Sequence, residues 1–147
     1  MSYLLDTCIL SKLRKIGKQP DKKLENWIKK HNESSYFISA LTIGELQSGI
    51  SKLNLKKHEE RQKRLILEDW LREGMIPRFH NRILAIDIEV VLIWGVILGE
   101  SKQRGIIIPV VDGLIAATAI VHNLTLVTEN INDFIETGAR LFNPWFD

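Results

Sequence analysis

Tyr3-Leu4-Leu5-Asp6-Thr7-Cys8-Ile9-Leu10-Ser11 is the stretch on which the fold turns: an apolar run ends in an acid, and a helical pattern begins at once. A short apolar run of this kind reads as a buried strand, and Cys8, Ile9, Leu10 and Leu13 then recur at helical spacing. In an open parallel sheet, ligands collect outside the carboxyl ends of the strands, so an acid closing a first, central strand stands where chemistry happens. Asp is also a common helix N-cap, and Asp6 taken alone supports either role. Three further acids in comparable settings shift the balance toward chemistry.

Working outward, Gly17 and Pro20 are expected to close the first helix, and Asp21 to open a second with Leu24, Trp27 and Ile28 on one face. Residues 36–39 read as a short strand of aromatic and β-branched residues. Thr42 followed by Glu45 is a capping-box pattern, which would turn the Glu45 carboxylate back toward the backbone. Residues 46–76 read as two helices broken near Asn54, with Leu46, Ile50, Leu53, Leu65, Leu67, Trp70 and Leu71 apolar, and are expected to form a protruding pair. A strand is expected over residues 82–87. Asp87 would then cap a helix over 88–104 that faces the core with Val91, Trp94, Ile97 and Leu98 and stops at Gly105.

Residues 106–111 deliver Asp112 to the start of a small-residue helix, which His122 and Asn123 end, the first as a dipole-complementing residue and the second as a left-handed cap. A strand over 124–127 runs into the polar loop Thr128-Glu129-Asn130-Ile131-Asn132-Asp133-Phe134, repeating the arrangement around Asp6, and a last short strand lies around 140–142. Strands alternating with helices argue for an α/β fold, a parallel sheet with helices on both faces, and 147 residues argue for one domain. Trp70 and Trp94, at helical spacing, read as packing groups rather than base-stacking platforms.

A content of 45% hydrophobic and 26% charged residues suits a globular chain with a real core. The lone Cys8 excludes an internal disulfide and a structural zinc set, which suits a reducing cytoplasm. No signal-like leader or membrane-spanning run is legible. Charge is unevenly spread: residues 1–82 carry a net +7 and residues 83–147 a net −5. Lys12, Arg14, Lys15, Lys18, Lys22, Lys23, Lys29 and Lys30 form either a phosphate-attracting rim beside Asp6 or an ordinary solvated face.

Asp6 and Asp133 follow strand ends, while Glu45 and Asp112 sit in first turns of helices, so the fold could gather four carboxylates at one end of the sheet. Like charges at close range raise one another's pKa, and such a cluster calls for protons or a divalent cation. Oxygen ligands without Cys or His favour Mg²⁺ or Mn²⁺ over zinc. Carboxylate-held Mg²⁺ beside a basic rim is equipment for phosphodiester hydrolysis.

Leu4-Leu5-Asp6-Thr7, Thr42-Ile43-Gly44-Glu45-Leu46, Pro109-Val110-Val111-Asp112-Gly113-Leu114-Ile115-Ala116-Ala117, residues 128–134 and Asn143-Pro144-Trp145, in this order, resemble the PIN-domain ribonucleases of the VapC and FitB toxin type. The resemblance implies a three-layer α/β/α fold with a five-stranded parallel sheet, a homodimer, Mg²⁺-dependent endonucleolytic cleavage of RNA, and a small cognate antitoxin. It places Asp6, Glu45, Asp112 and Asp133 on the family's acidic positions and Thr128 and Asn130 on flanking polar ones. Three residues depart from the pattern: Lys12 stands where relatives often carry an acid, Cys8 where Asn is frequent, and Glu129 where Arg is common.

A phosphoaspartate phosphatase would want a second acid where Cys8 stands, and a receiver domain would want paired acids after the first strand. A silent PIN module serving as an RNA-binding or protein scaffold is the remaining alternative, and loss of acids would be its signature.

Overall fold

A computed structural model describes residues 1–14 and 21–147. Strands β1 (Tyr3–Leu5), β2 (Tyr36–Ser39), β3 (Ile83–Leu84), β4 (Thr125–Val127) and β5 (Leu141–Phe142) form a five-stranded sheet in the order β3-β2-β1-β4-β5, parallel at every pairing. Between them run α1 (Thr7–Arg14), α2 (Lys22–Lys29), α3 (Ala40–Ser51), α4 (His58–Asp69), α5 (Ile76–Arg78), α6 (Ile88–Gln103), α7 (Val110–Val121) and α8 (Ile131–Phe134). Closure of α1 at Gly17 and Pro20, and the placement of Lys15 and Lys18, lie outside the described residues.

Strand alternation builds the layers. Tyr3 and Leu5 point into one core with Ile9, Leu24, Trp27, Ile38, Leu46 and Leu71, whereas Leu4 points into the other with Val90, Ile97, Ile115, Ala116 and Phe134. The first core carries α1 to α4 and the second α6 to α8, giving the α/β/α sandwich that the sequence implies. Small residues on α7 let it lie close on the sheet: Ala116, Ala117 and Ala119 have no exposed surface.

The chain steps outward from β1 through β2 to β3, then returns through α6 and α7 to β4 on the other side of β1. That reversal makes the carboxyl ends of β1 and β4 the switch point of the sheet, where a crevice opens for a ligand.

Several expectations change register. The capping box does not form: Ser39 ends β2 and caps α3 directly, its hydroxyl accepting from Leu41 N at 3.1 Å. Thr42 is therefore already inside the helix and buried, and Glu45 is carried to the exposed second turn. Asp21 and Asp87 do cap α2 and α6, accepting from Leu24 N and Val90 N. On α6 Trp94, Ile97 and Leu98 face the second core as expected, but at the start of the helix Val90 is fully buried and Val91 is 42% exposed. Gly105 takes a positive φ after that helix, and Asn123 does the same after α7.

The expected strand over 82–87 shrinks to β3, because Asp87 caps α6 and leaves residues 85–86 as the approach. The helices around Asn54 protrude only in part. Leu65 is 62% exposed, yet Leu67, Leu71 and Met75 anchor the end of α4 and the π-helical turn Trp70–Met75 in the first core. Pro77 lacks the N–H that Glu73 would receive in an α-helix, which fits a widened turn just before it. Among the described residues no helix is long and apolar enough to cross a membrane.

Candidate active site

Asp6 closes β1 and is 7% exposed, with its backbone N–H extending the ladder to Val127 O at 3.0 Å. It occupies the N-cap position of α1, but its carboxylate serves two purposes. Oδ1 accepts from Thr7 N at 2.7 Å, while Oδ2 faces the neighbouring strand end and accepts from Thr128 Oγ1 at 2.9 Å and Cys8 Sγ at 3.4 Å. The fully buried Thr128 hydroxyl in turn accepts from Asn130 N at 3.0 Å. A strand end on each side of the switch point is thus tied to the other through one carboxylate.

Glu45 is held from α1: Thr7 Oγ1 lies 2.6 Å from Glu45 Oε1 and 3.1 Å from Thr42 Oγ1. This contact, rather than a capping box, sets the carboxylate. Asp112 lies in the first turn of α7, half-buried, and its pKa is pushed up to about 6 by burial and then by the charges of Asp133, Asp6 and Glu45. Asp133, exposed on α8, and Asn130, at the head of that helix with no capping bond from its side chain, complete the set.

The six residues singled out from sequence therefore meet at one end of the sheet, supplied by β1, α3, α7 and the segment after β4. The acids are close enough to feel one another, yet among the described residues no three His, Cys, Asp or Glu side chains form a ready metal cluster. An all-oxygen donor set in electrostatic conflict suits a hard divalent ion that retains part of its water shell, since Mg²⁺ commonly takes only one or two carboxylates directly.

Sequence reasoning missed three supporting groups. Thr7 orients Glu45, and only the tertiary approach of α1 to α3 reveals it. Cys8 donates to Asp6, and burial together with the Asp6 charge pushes its thiol up to about 12, so it stays a protonated donor. Trp94 packs its ring edge against Gly113, where an added Cβ would sit 3.0 Å from Cδ1. At the residue after Asp112, any side chain would press on an indole from α6.

Lys12 and Glu129, two residues that the sequence reading set apart, meet each other. Lys12 Nζ and Glu129 Oε2 pair at 2.8 Å across the mouth of the site, and the hydrogen bond to Glu129 raises the lysine pKa. Lys12 also lies 4.7 Å from the centroid of the Trp145 ring. His122 lines a cavity with Met1, Ser2 and Leu124 at the opposite end of β4, away from the acids.

Residues 3–139 match the PIN domain family model. Toxin FitB of Neisseria gonorrhoeae is 33% identical over 144 residues, spanning 98% of this chain and 99% of that protein. Ribonuclease VapC2 of Rickettsia felis is 33% identical over 149 residues, spanning 99% and 98% of the two chains. The crystal structure of FitAcB from Neisseria gonorrhoeae superposes with a TM-score of 0.86 at 31% identity, covering 99% of each chain. With the acids, the switch point and the sandwich all in this arrangement, the chain belongs to the PIN-domain family.

Proposed function

We propose that this protein is a divalent-metal-dependent endoribonuclease and the toxin of a toxin–antitoxin pair. The observation that carries the reading is the placement of Asp6, Glu45, Asp112 and Asp133 around the switch point, where burial and the neighbouring acids together disfavour the charged form of Asp112 and a cation would relieve the conflict. The names of the relatives, a toxin and a ribonuclease, support the substrate class and the biological role.

Asp6, Glu45, Asp112 and Asp133 would hold Mg²⁺ or Mn²⁺. When bound, such an ion makes a water molecule more acidic and offsets the negative charge that builds on the phosphoryl oxygens. The chain's own groups do the positioning. Thr128 and Cys8 donate to Asp6 Oδ2 and fix its rotamer, Thr7 fixes Glu45, and Gly113 lets Trp94 set the first turn of α7. The Asn130 amide faces solvent beside Asp133, placed to donate to a substrate oxygen.

A small antitoxin would hold the enzyme off by placing Arg or Lys among the acids, because a guanidinium bridges two carboxylates with fixed geometry and supplies the missing positive charge. A second copy of the chain would cover the apolar face of α6, where Ile88, Leu92 and Val96 recur every fourth residue and are 78%, 64% and 51% exposed.

Incubating the purified protein with a mixed RNA pool, with Mg²⁺ and with EDTA, and mapping the ends tests the reading. Internal cuts that require the metal are expected. An intact pool under both conditions would move the assignment to the silent scaffold.

A further inference from the structure

Phe146 is 87% exposed, yet its backbone is pinned. The buried Asn143 carbonyl accepts from the N–H groups of Phe146 and Asp147 at 3.2 and 2.9 Å, its side-chain oxygen accepts from Trp145 N at 2.9 Å, and Trp145 Nε1 donates to Asp21 Oδ2 at 2.9 Å. An apolar ring held in water on a fixed turn is available to a ligand.

Its position names the ligand. On one side lies a recess of about 420 Å³ lined by Glu129, Asn130, Asp133, Asn143, Phe146 and Asp147, which shares Asn130 and Asp133 with the acidic site. On the other lies a recess of about 330 Å³ lined by Lys12, Lys23, Glu129, Trp145 and Phe146. Phe146 and Glu129 border both, so the ring is the ridge between a carboxylate groove and a lysine-bearing one. Lys23, exposed on α2, donates to the Trp145 carbonyl at 3.2 Å and so keeps its ammonium at this lip.

We propose that Phe146 is a stacking platform for the base next to the cleaved phosphodiester, with Lys23 receiving the following phosphate in the second recess. The inference rests on the ribonuclease reading above. A single strand offers a base face and an anionic phosphate in each nucleotide, which matches an aromatic ridge with a cation beyond it. A basic inhibitory segment fits less well, because the charge that suits the acids is repelled by Lys23. Trp145, whose indole N–H is engaged by Asp21 and whose ring faces Lys12, supports the ridge from behind.

The test uses the full chain, a short fluorescein-labelled single-stranded RNA, anisotropy in EDTA for affinity, and steady-state cleavage in Mg²⁺. Phe146→Ala should weaken binding roughly tenfold, in line with the loss of one base stack, and raise KM by a similar factor with kcat within about twofold. Phe146→Tyr should restore both values and Phe146→Leu should not, which separates a π face from apolar area. Lys23→Gln should weaken binding and reduce the slope of log affinity against log salt by about one. If the wild type binds and cuts RNA while Phe146→Ala matches it, the platform is refuted and the nuclease stands. If the wild type neither binds nor cuts RNA, both readings fall. If Phe146→Ala leaves RNA affinity intact but releases a co-expressed antitoxin, the ridge is a protein-docking face and the proposal is overturned.

Discussion

Asp6 and Asp112 reach the same pocket with opposite electrostatic support. Asp6 is buried but accepts three bonds from Thr7 N, Thr128 Oγ1 and Cys8 Sγ, whereas burial first, and then the neighbouring acids, push the Asp112 carboxyl up to about 6. Asp6→Asn or Asp112→Asn should each abolish cleavage, and retention of the wild-type rate by either would remove it from the catalytic set. The stability effect of Asp112 has a definite sign. A carboxyl whose folded pKa lies above its ordinary 3.8 contributes stability that is complete below pH 4 and lost as pH rises through about 6. In metal-free protein Asp112→Asn should therefore melt higher than wild type above pH 6, with the gap closing toward pH 4. Thermal melts across that range check it, and Mg²⁺ should raise the wild-type melting temperature more at pH 7.5 than at pH 5.5, since binding competes with the proton. Thr128→Val should cost about 1–2 kcal/mol, because it strips a buried donor from a charged acceptor, and should lower kcat as the Asp6 rotamer loosens.

At the scale of elements, α7 depends on how closely α6 approaches it. Gly113→Ala would bring a methyl to 3.0 Å from the Trp94 ring edge, so the indole or the first turn of α7 must shift by a few tenths of an ångström. The expected cost is about 1–3 kcal/mol in chemical denaturation, with a loss of activity beyond it as the first turn bearing Asp112 shifts. Trp94→Leu in the same chain should recover part of both. Across the mouth, Lys12→Glu alone places like charges at Glu129 and should weaken cleavage, while Lys12→Glu with Glu129→Arg should restore it. The pair is more than a third exposed on its lysine side, so the effect should fade at high salt.

At the scale of the whole molecule, the unpartnered face of α6 makes assembly testable. Leu92→Glu places a charge in the middle of the exposed apolar row, and light scattering at micromolar concentration should show a dimer for the wild type and a monomer for the variant. A wild-type monomer with full activity would dispose of the dimer. RNA affinity should also fall steeply with salt, because the positive charge gathered in the first 82 residues acts through phosphates.

The local signals in the sequence were enough to determine the strand–helix alternation, the caps at Asp21 and Asp87 and the helix ends at Gly105 and Asn123, because each depends on near neighbours along the chain, whereas Thr128 and Asn130 were proposed for the site from the family resemblance alone. Pattern matching failed where local rules compete. The Thr42–Glu45 spacing satisfied a capping box, but Ser39 turned the chain into α3 first, and Val91 lost its core position to Val90 once α6 docked. The sheet order, and with it the crevice between β1 and β4, was decided only by tertiary structure, as were the Thr128–Asp6 and Thr7–Glu45 bonds, the Lys12–Glu129 pair and the Phe146 ridge. The physical reason is distance along the chain: Thr128 and Asp6 are separated by 122 residues, and no short-range preference records a bond that exists only after the sheet has closed the gap.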